Sequence, residues 1–302
     1  MTKNTALVEL VLLAAIWGAS FLFMRVGSPE FGPVVFMFLR TAIASLFLLP
    51  LVFYKKQQRG LQNNWVKIFI GSLFNTAIPF VLFGYATLSL SAGVTSILNA
   101  TTPMFAAIIA YFWFKDKLNV SSIIGLLIGF LGVYILMFDK LSTQSGLVLL
   151  PTVAVLGATL CYGIGANYTK HYLGSIKPLA LAASTQITAS LALLPFALFS
   201  LPKQLPSITA TSAVLTLGVL CTGIAYVIFF RLIANLGPAK AVSVTYLIPA
   251  FGLFWGAIFL NEQITAWIIL GCLFILLGVG LTTGLITSLF TSLFLQKVKN
   301  QL

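Results

Sequence analysis

Ten apolar runs separated by short polar breaks divide the chain, at roughly 6–26, 33–53, 65–88, 93–113, 121–138, 147–168, 178–200, 208–232, 239–260 and 264–286. A run of about 20 residues is what one helix needs to cross a hydrocarbon layer. None of the runs alternates apolar and polar positions, as a membrane-spanning strand would. The pattern predicts an all-α membrane protein with ten transmembrane helices. The breaks carry turn chemistry, among them Gly27-Ser28-Pro29, Lys55 to Gly60, Ser89 to Gly93 and Leu201-Pro202-Lys203. The first run has a full-length core and no small-residue cleavage site, so it reads as a retained span.

Composition agrees. Of 302 residues, 60% are hydrophobic and 7% charged, against about 25% charged in soluble domains. The net charge of +12 would suggest nucleic acid, but its placement says otherwise. With the N-terminus inside, thirteen basic residues fall in inside segments: Lys3, Lys55, Lys56, Arg59, Lys67, Lys115, Lys117, Lys170, Lys177, Arg231, Lys240, Lys297 and Lys299. Outside loops hold three, Arg25, Lys140 and Lys203. This bias orients the chain in a plasma (inner) membrane with both termini cytoplasmic. Anionic lipid headgroups are the natural partner of the charge, and nucleic acid is not.

The two halves resemble each other. Ala44-Ser45-Leu46-Phe47-Leu48-Leu49-Pro50 recurs 145 positions later as Ala189-Ser190-Leu191-Ala192-Leu193-Leu194-Pro195, and Trp17-Gly18 maps onto Tyr162-Gly163. At an offset of 146, Pro103 maps onto Pro249, Asp116 onto Glu262 and Gly125 onto Gly271. Residues 1–140 then form a first five-helix repeat, 141–286 a second, and 287–302 a cytoplasmic tail. Five spans is an odd number, so the second repeat must lie inverted, as in secondary transporters. Pro103 and Pro249 fall near the middle of the fourth and ninth spans and are expected to kink them. Interruptions at matched points mark a transporter's binding site.

Four stretches carry a family resemblance. They are Ala15-Ile16-Trp17-Gly18-Ala19-Ser20; Phe38-Leu39-Arg40; Gly84-Tyr85-Ala86 through Ser91-Ala92-Gly93-Val94 to Thr102-Pro103; and Gly223-Ile224-Ala225-Tyr226 through Leu236-Gly237 to Tyr246-Leu247-Ile248-Pro249, closed by Leu260-Asn261-Glu262. Together, over about residues 8–284, they resemble the ten-helix EamA branch of the drug/metabolite transporter superfamily. The resemblance implies two inverted five-helix repeats and a central cavity walled mainly by the first, third, fourth, sixth, eighth and ninth spans. It also implies export of amino acids, other small metabolites or xenobiotics. Some relatives carry Glu before the ninth-span proline, where this chain has Ile248, which removes a charged ligand for cations. In the related small multidrug-resistance proteins, a first-helix glutamate lies eight residues before a basic residue. Here Trp17 stands eight before Arg25, so that proton-exchange site is absent.

The candidate substrate-binding residues are polar or amphipathic side chains near mid-span: Trp17, Asn75, Asn99, Thr101, Tyr162, Tyr226 and Tyr246. Such residues either join helices or line a wet cavity. Arg40 is the basic residue well inside a span, and burying it costs about 2.5–3.5 kcal/mol on insertion scales. It reads as a counter-ion for a substrate carboxylate or as a clamp on helix-end carbonyls. The clamp is the expectation, because the second span is not expected to wall the cavity. Glu9, about one turn from the cytoplasmic end, reads as a solvated interface residue. Gly125, Gly129, Gly132, Gly271 and Gly278 have close-packing spacing and should seat the fifth and tenth helices.

No paired intramembrane carboxylates, metal-ligand cluster or P-loop is present, so neither enzyme chemistry nor a cofactor is expected. The reading is a secondary transporter, driven by a proton or substrate gradient, for small amphipathic metabolites such as amino acids. The alternatives are a proton-coupled exporter of cationic xenobiotics and a non-transporting receptor or scaffold.

Overall fold

The computed structural model describes residues 3–58, 61–143 and 148–285; the expected tail, 287–302, lies outside them. Among the described residues, nine helical stretches are long and apolar enough to cross a membrane, and a shorter tenth spans Ala266–Thr282. Many large apolar side chains, including Leu46, Phe112, Phe199 and Phe259, are exposed on the outside of the bundle. In water that surface would aggregate; in hydrocarbon it is solvated. The chain is an integral membrane protein.

The first two spans are single helices, α1 (Lys3–Phe31) and α2 (Pro33–Tyr54). Helix α1 runs straight through the turn expected at Gly27-Ser28-Pro29. Gly27 is spent on packing, since the Phe36 ring occupies the place its side chain would take. The stop comes at Gly32, whose φ of +74° suits glycine, and Pro33 follows in the first turn of α2, where its fixed φ is already helical.

The third span is α3 (Trp65–Ser72) and α4 (Ile78–Ala86), joined by a π-helical turn over Leu73–Ala77. The eighth is α10 (Ile208–Gly218) and α11 (Ala225–Leu236), joined by a π-helical turn over Val219–Ile224. Leu73 and Val219 are 146 positions apart. Neither turn has a sequence pattern that predicts it.

The expected proline kinks are breaks. The fourth span is α5 (Ala92–Asn99) and α6 (Thr102–Phe114), and Pro103 sits in the first turn of α6. A proline there costs no hydrogen bond, because first-turn N–H groups have no intrahelical partner. The Asn99 carbonyl, four residues back, accepts instead from the Thr102 hydroxyl at 2.8 Å. The ninth span is α12 (Pro238–Val242), a 3-10 turn over Ser243–Tyr246, and α13 (Ile248–Leu260), with Pro249 again in the first turn.

The fifth and tenth spans, α7 (Val120–Thr143) and α14 (Ala266–Thr282), pack along each other. A side chain on Gly125 would start 2.6 Å from the Gly278 oxygen, and one on Gly132 would start 2.7 Å from the Ile275 nitrogen. The glycines thus seat this pair on itself, away from the middle. Helices α8 (Leu149–Tyr172) and α9 (Pro178–Phe199) form the sixth and seventh spans. The bundle centre is left to α1, α4, α8, α11 and the two broken spans, with α2 behind them.

Candidate functional site

A cavity of about 410 Å³ lies at the centre of the bundle. Its walls come in pairs from matched positions of the two halves: Trp17 with Tyr162, Phe21 with Ala166, Phe80 with Tyr226, Asn99 with Thr245, and Thr102 with Ile248. The broken spans supply the last two pairs, because a helix that stops mid-bilayer turns its final residues toward the centre. Aromatic packing fixes the walls. Trp17 lies 5.1 Å from Phe229, Phe83 5.7 Å from Tyr162, and Tyr226 stacks on Phe230 at 5.8 Å. Of the seven residues expected to bind substrate, Trp17, Asn99, Tyr162 and Tyr226 line this cavity.

Three do not. Asn75 sits in the π turn of the third span and donates to the Gly165 oxygen at 3.1 Å and the Thr169 hydroxyl at 2.9 Å. Gly165 leaves the room that the amide fills. Asn75 instead borders a second chamber, also about 410 Å³, lined by Thr169, Lys170 and Thr185 among others and sharing Ala166 and Tyr226 with the first. Thr101 is fully buried, bonded to the Leu98 oxygen at 2.8 Å and the Thr159 hydroxyl at 3.2 Å. The Tyr246 hydroxyl meets Thr283 at 2.8 Å, on the far side of its span. These three join helices.

Arg40 corrects the sequence expectation in the other direction. It lines the central cavity and does not clamp a helix end. The backbone of α2 stands behind the wall, but the long side chain passes between the third and eighth spans. Its Nε donates to Thr222 Oγ1 at 3.0 Å, and its guanidinium carbon lies 3.7 Å from the centre of the Phe80 ring, a cation–π contact. Gly218 permits this by letting α10 approach α2 closely. Thr222 belongs to the eighth-span π turn, and such turns gather at functional sites. The signal that could have placed Arg40 was the reach of arginine itself, about 6–7 Å beyond its backbone, which snorkels or bridges where shorter residues cannot.

Glu9 is also corrected. It is buried and paired with Arg231, whose Nη2 lies 2.6 Å from Glu9 Oε1 and whose Nε donates to Oε2 at 3.1 Å. Glu9 meets a partner rather than solvent because the eighth span brings its own cation to the same depth.

The two broken spans are held differently. Helix α6 ends on Lys115 and α13 on Asn261, both left-handed, with φ of 60° and 53°. The acids that follow, Asp116 and Glu262, therefore leave the same turn. Glu262 Oε1 accepts from Ala92 N at 2.7 Å and Oε2 from Gly93 N at 3.0 Å, while Ser91 Oγ takes Val94 N at 3.2 Å. The first turn of α5 is thus capped, and Ala92 to Leu98 are all buried. Helix α5 packs along α13, with Gly93 against Leu253 and Gly252 against Ser96. Helix α12 has no side-chain cap and no comparable packing on α6. Asp116 is exposed, and its carboxylate has no partner among the described residues. At the α5 end, Glu30 also grips Ser207 N at 2.6 Å and Oγ at 2.8 Å, and Arg25 donates to the Thr87 oxygen at 2.6 Å. There Phe21, Met24 and Phe83, all buried, close the cavity. Toward the α12 end it is lined by Val242 and Thr245.

A bundle of apolar spans around a central cavity with polar groups set in aromatic walls is the build of a membrane transporter. The chain belongs to the EamA-like transporter family, within the drug/metabolite transporter superfamily; the family pattern matches residues 5–138 and again 149–284. It is 27% identical over 277 residues to the uncharacterized transporter YoaV of Bacillus subtilis (strain 168), covering 91% of this chain and 95% of that protein. It is 22% identical over 283 residues to the "Probable amino-acid metabolite efflux pump" of Escherichia coli (strain K12), covering 89% and 91%. A crystal structure of another protein shares the fold with a TM-score of 0.66 at 15% identity, over 95% of this chain and 99% of that one.

Proposed function

We propose that this transporter is a secondary active exporter of small amphipathic metabolites, such as amino acids and their relatives, working by alternating access. Residues 1–140 and 141–286 act as two inverted units in the plasma (inner) membrane, with both termini cytoplasmic and the basic end against anionic lipid. Trp17, Asn99, Tyr162 and Tyr226, with Arg40, hold the substrate between aromatic faces and a few hydrogen-bonding groups, the usual build of a small-molecule pocket. The gradient that drives transport is a proton or substrate gradient.

The observation that carries the reading is the unequal state of two half-helices built alike. Helix α5 is capped by Glu262 and sealed against α13; α12 has no side-chain cap, and Asp116, at the turn that corresponds to Glu262, has no partner among the described residues. Exchange of these roles would close the α12 end and open the α5 end. In that second state Asp116 caps the start of α12, near Ala239. A ligand held between the units would then meet each side of the membrane in turn.

The test uses Thr245→Cys on the cavity wall, in protein lacking Cys161, Cys221 and Cys272. Glu262→Gln weakens the cap of the present state, and Asp116→Asn the cap of the opposite one. Thiol labelling from the cytoplasmic side should fall with Glu262→Gln and rise with Asp116→Asn, each severalfold. Changes in the same direction, or none, would overturn the proposed exchange.

A further inference from the structure

The fixed charge of the central cavity is +1, and no carboxylate among the described residues answers it. Arg40 is 7% exposed, and a guanidinium does not shed its proton at any working pH. The chain has five acidic residues. Glu9 is paired with Arg231, Glu30 with Ser207 and Glu262 with the start of α5. Asp116 is exposed at the end of α6, and Asp139 stands at the far end of the fifth span, which packs on α14. Among the described residues, then, no carboxylate neutralises Arg40. Its Nε–H is bonded to Thr222 and its face rests on Phe80. The four N–H groups on the two terminal nitrogens are not bonded to described residues, and they form the fork that takes a carboxylate in two parallel hydrogen bonds.

The rest of the lining decides which carboxylates fit. Trp17, Phe21, Phe80, Phe83, Tyr162 and Tyr226 offer ring faces for an apolar body. An ammonium group in the same cavity would find only neutral hydroxyls, an amide and rings, beside an uncompensated cation. A zwitterion satisfies Arg40 but brings in a second charge that has no partner; a cation meets repulsion alone. We infer that the transported species is an organic monoanion, a single carboxylate on an aromatic or branched apolar body, and that Arg40 selects it by charge. This rests on the transport reading above and narrows its substrate class from amino acids and their relatives to the relatives that lack the ammonium group.

Three probes with one skeleton separate the cases: phenyllactate (anion), phenylalanine (zwitterion) and phenylalaninol (cation). Binding to purified protein is followed by tryptophan fluorescence, and transport by counterflow in proteoliposomes, which passive leak of the acid form does not mimic. Phenyllactate should bind and exchange at least tenfold better than the other two. Arg40→Gln should erase the preference and cut phenyllactate exchange at least tenfold, while Arg40→Lys keeps the charge, loses the fork and retains a fraction. The ranking in the unaltered protein stands as a test even if a variant does not fold. Absence of phenyllactate binding, or equal or better binding of phenylalanine or phenylalaninol, overturns the inference, as does an unaltered rate in folded Arg40→Gln. Charge-ranked binding without any counterflow would uphold the selection by Arg40 and overturn the transport reading instead.

Discussion

Half-helices α5 and α12 occupy matched positions and precede matched prolines, yet one is capped and packed along the facing half-helix while the other has neither cap nor comparable packing. The difference is not intrinsic helix propensity. Ser91-Ala92-Gly93-Val94 gives α5 a hydroxyl cap and a glycine that lets Leu253 approach, with the Glu262 carboxylate closing the first turn. Gly237-Pro238-Ala239-Lys240 gives α12 a positive-φ start at 83° and a proline without a donor, and its acid, Asp116, is left in solvent. A half-helix cannot satisfy its own first-turn N–H groups, so whichever one is sealed depends on an acid delivered from the other repeat. In the proposed mechanism, sealing at one end is a contact exchanged for its counterpart.

Substitutions at matched positions sharpen this contrast. Gly93→Leu drives a side chain into Leu253, where even the first carbon would lie 2.7 Å away. It should cost about 3 kcal/mol of stability, read as a large drop in thermal unfolding temperature of the purified protein. Ala239→Leu, its counterpart, should slow exchange, because the proposed opposite state packs α12 against α6 as α5 now packs on α13. Glu262→Gln removes a charged acceptor of two N–H groups and should cost about 2 kcal/mol. Glu9→Gln should cost under about 1 kcal/mol, since Arg231 is 55% exposed and the pair is partly screened. Asp116→Asn should change stability by less than about 0.5 kcal/mol, although it alters access. Equal losses for Glu262→Gln and Asp116→Asn would erase the asymmetry.

Most of the architecture was legible in the chain because hydrocarbon imposes a simple rule. The ten apolar runs lie within a few residues of the helices observed, and Pro103 and Pro249 marked both interrupted spans. Three aromatic candidates, Trp17, Tyr162 and Tyr226, line the central cavity, whereas Tyr246 does not. What escaped were features set by pairs far apart in sequence. Nothing near Arg40 announces Thr222, 182 positions on, and nothing near Ala92 announces Glu262, 170 positions on. The π turns leave no periodic trace, and they decide that Asn75 faces α8 while Thr222 faces Arg40. Asp116 and Glu262 were visible as a matched pair of acids, but their role depends on which end of the bundle is closed.

The exchange of sealed ends is tested most directly by tying one latch shut. Ala92→Cys with Glu262→Cys, bridged by a short bifunctional thiol reagent in protein lacking the native cysteines, fixes α5 against the end of α13. Counterflow in proteoliposomes should fall to the background of empty liposomes on bridging and return when a reducible bridge is cleaved. Exchange at the unbridged rate with the bridge intact would mean that α5 never needs to move, and the alternating account would be wrong.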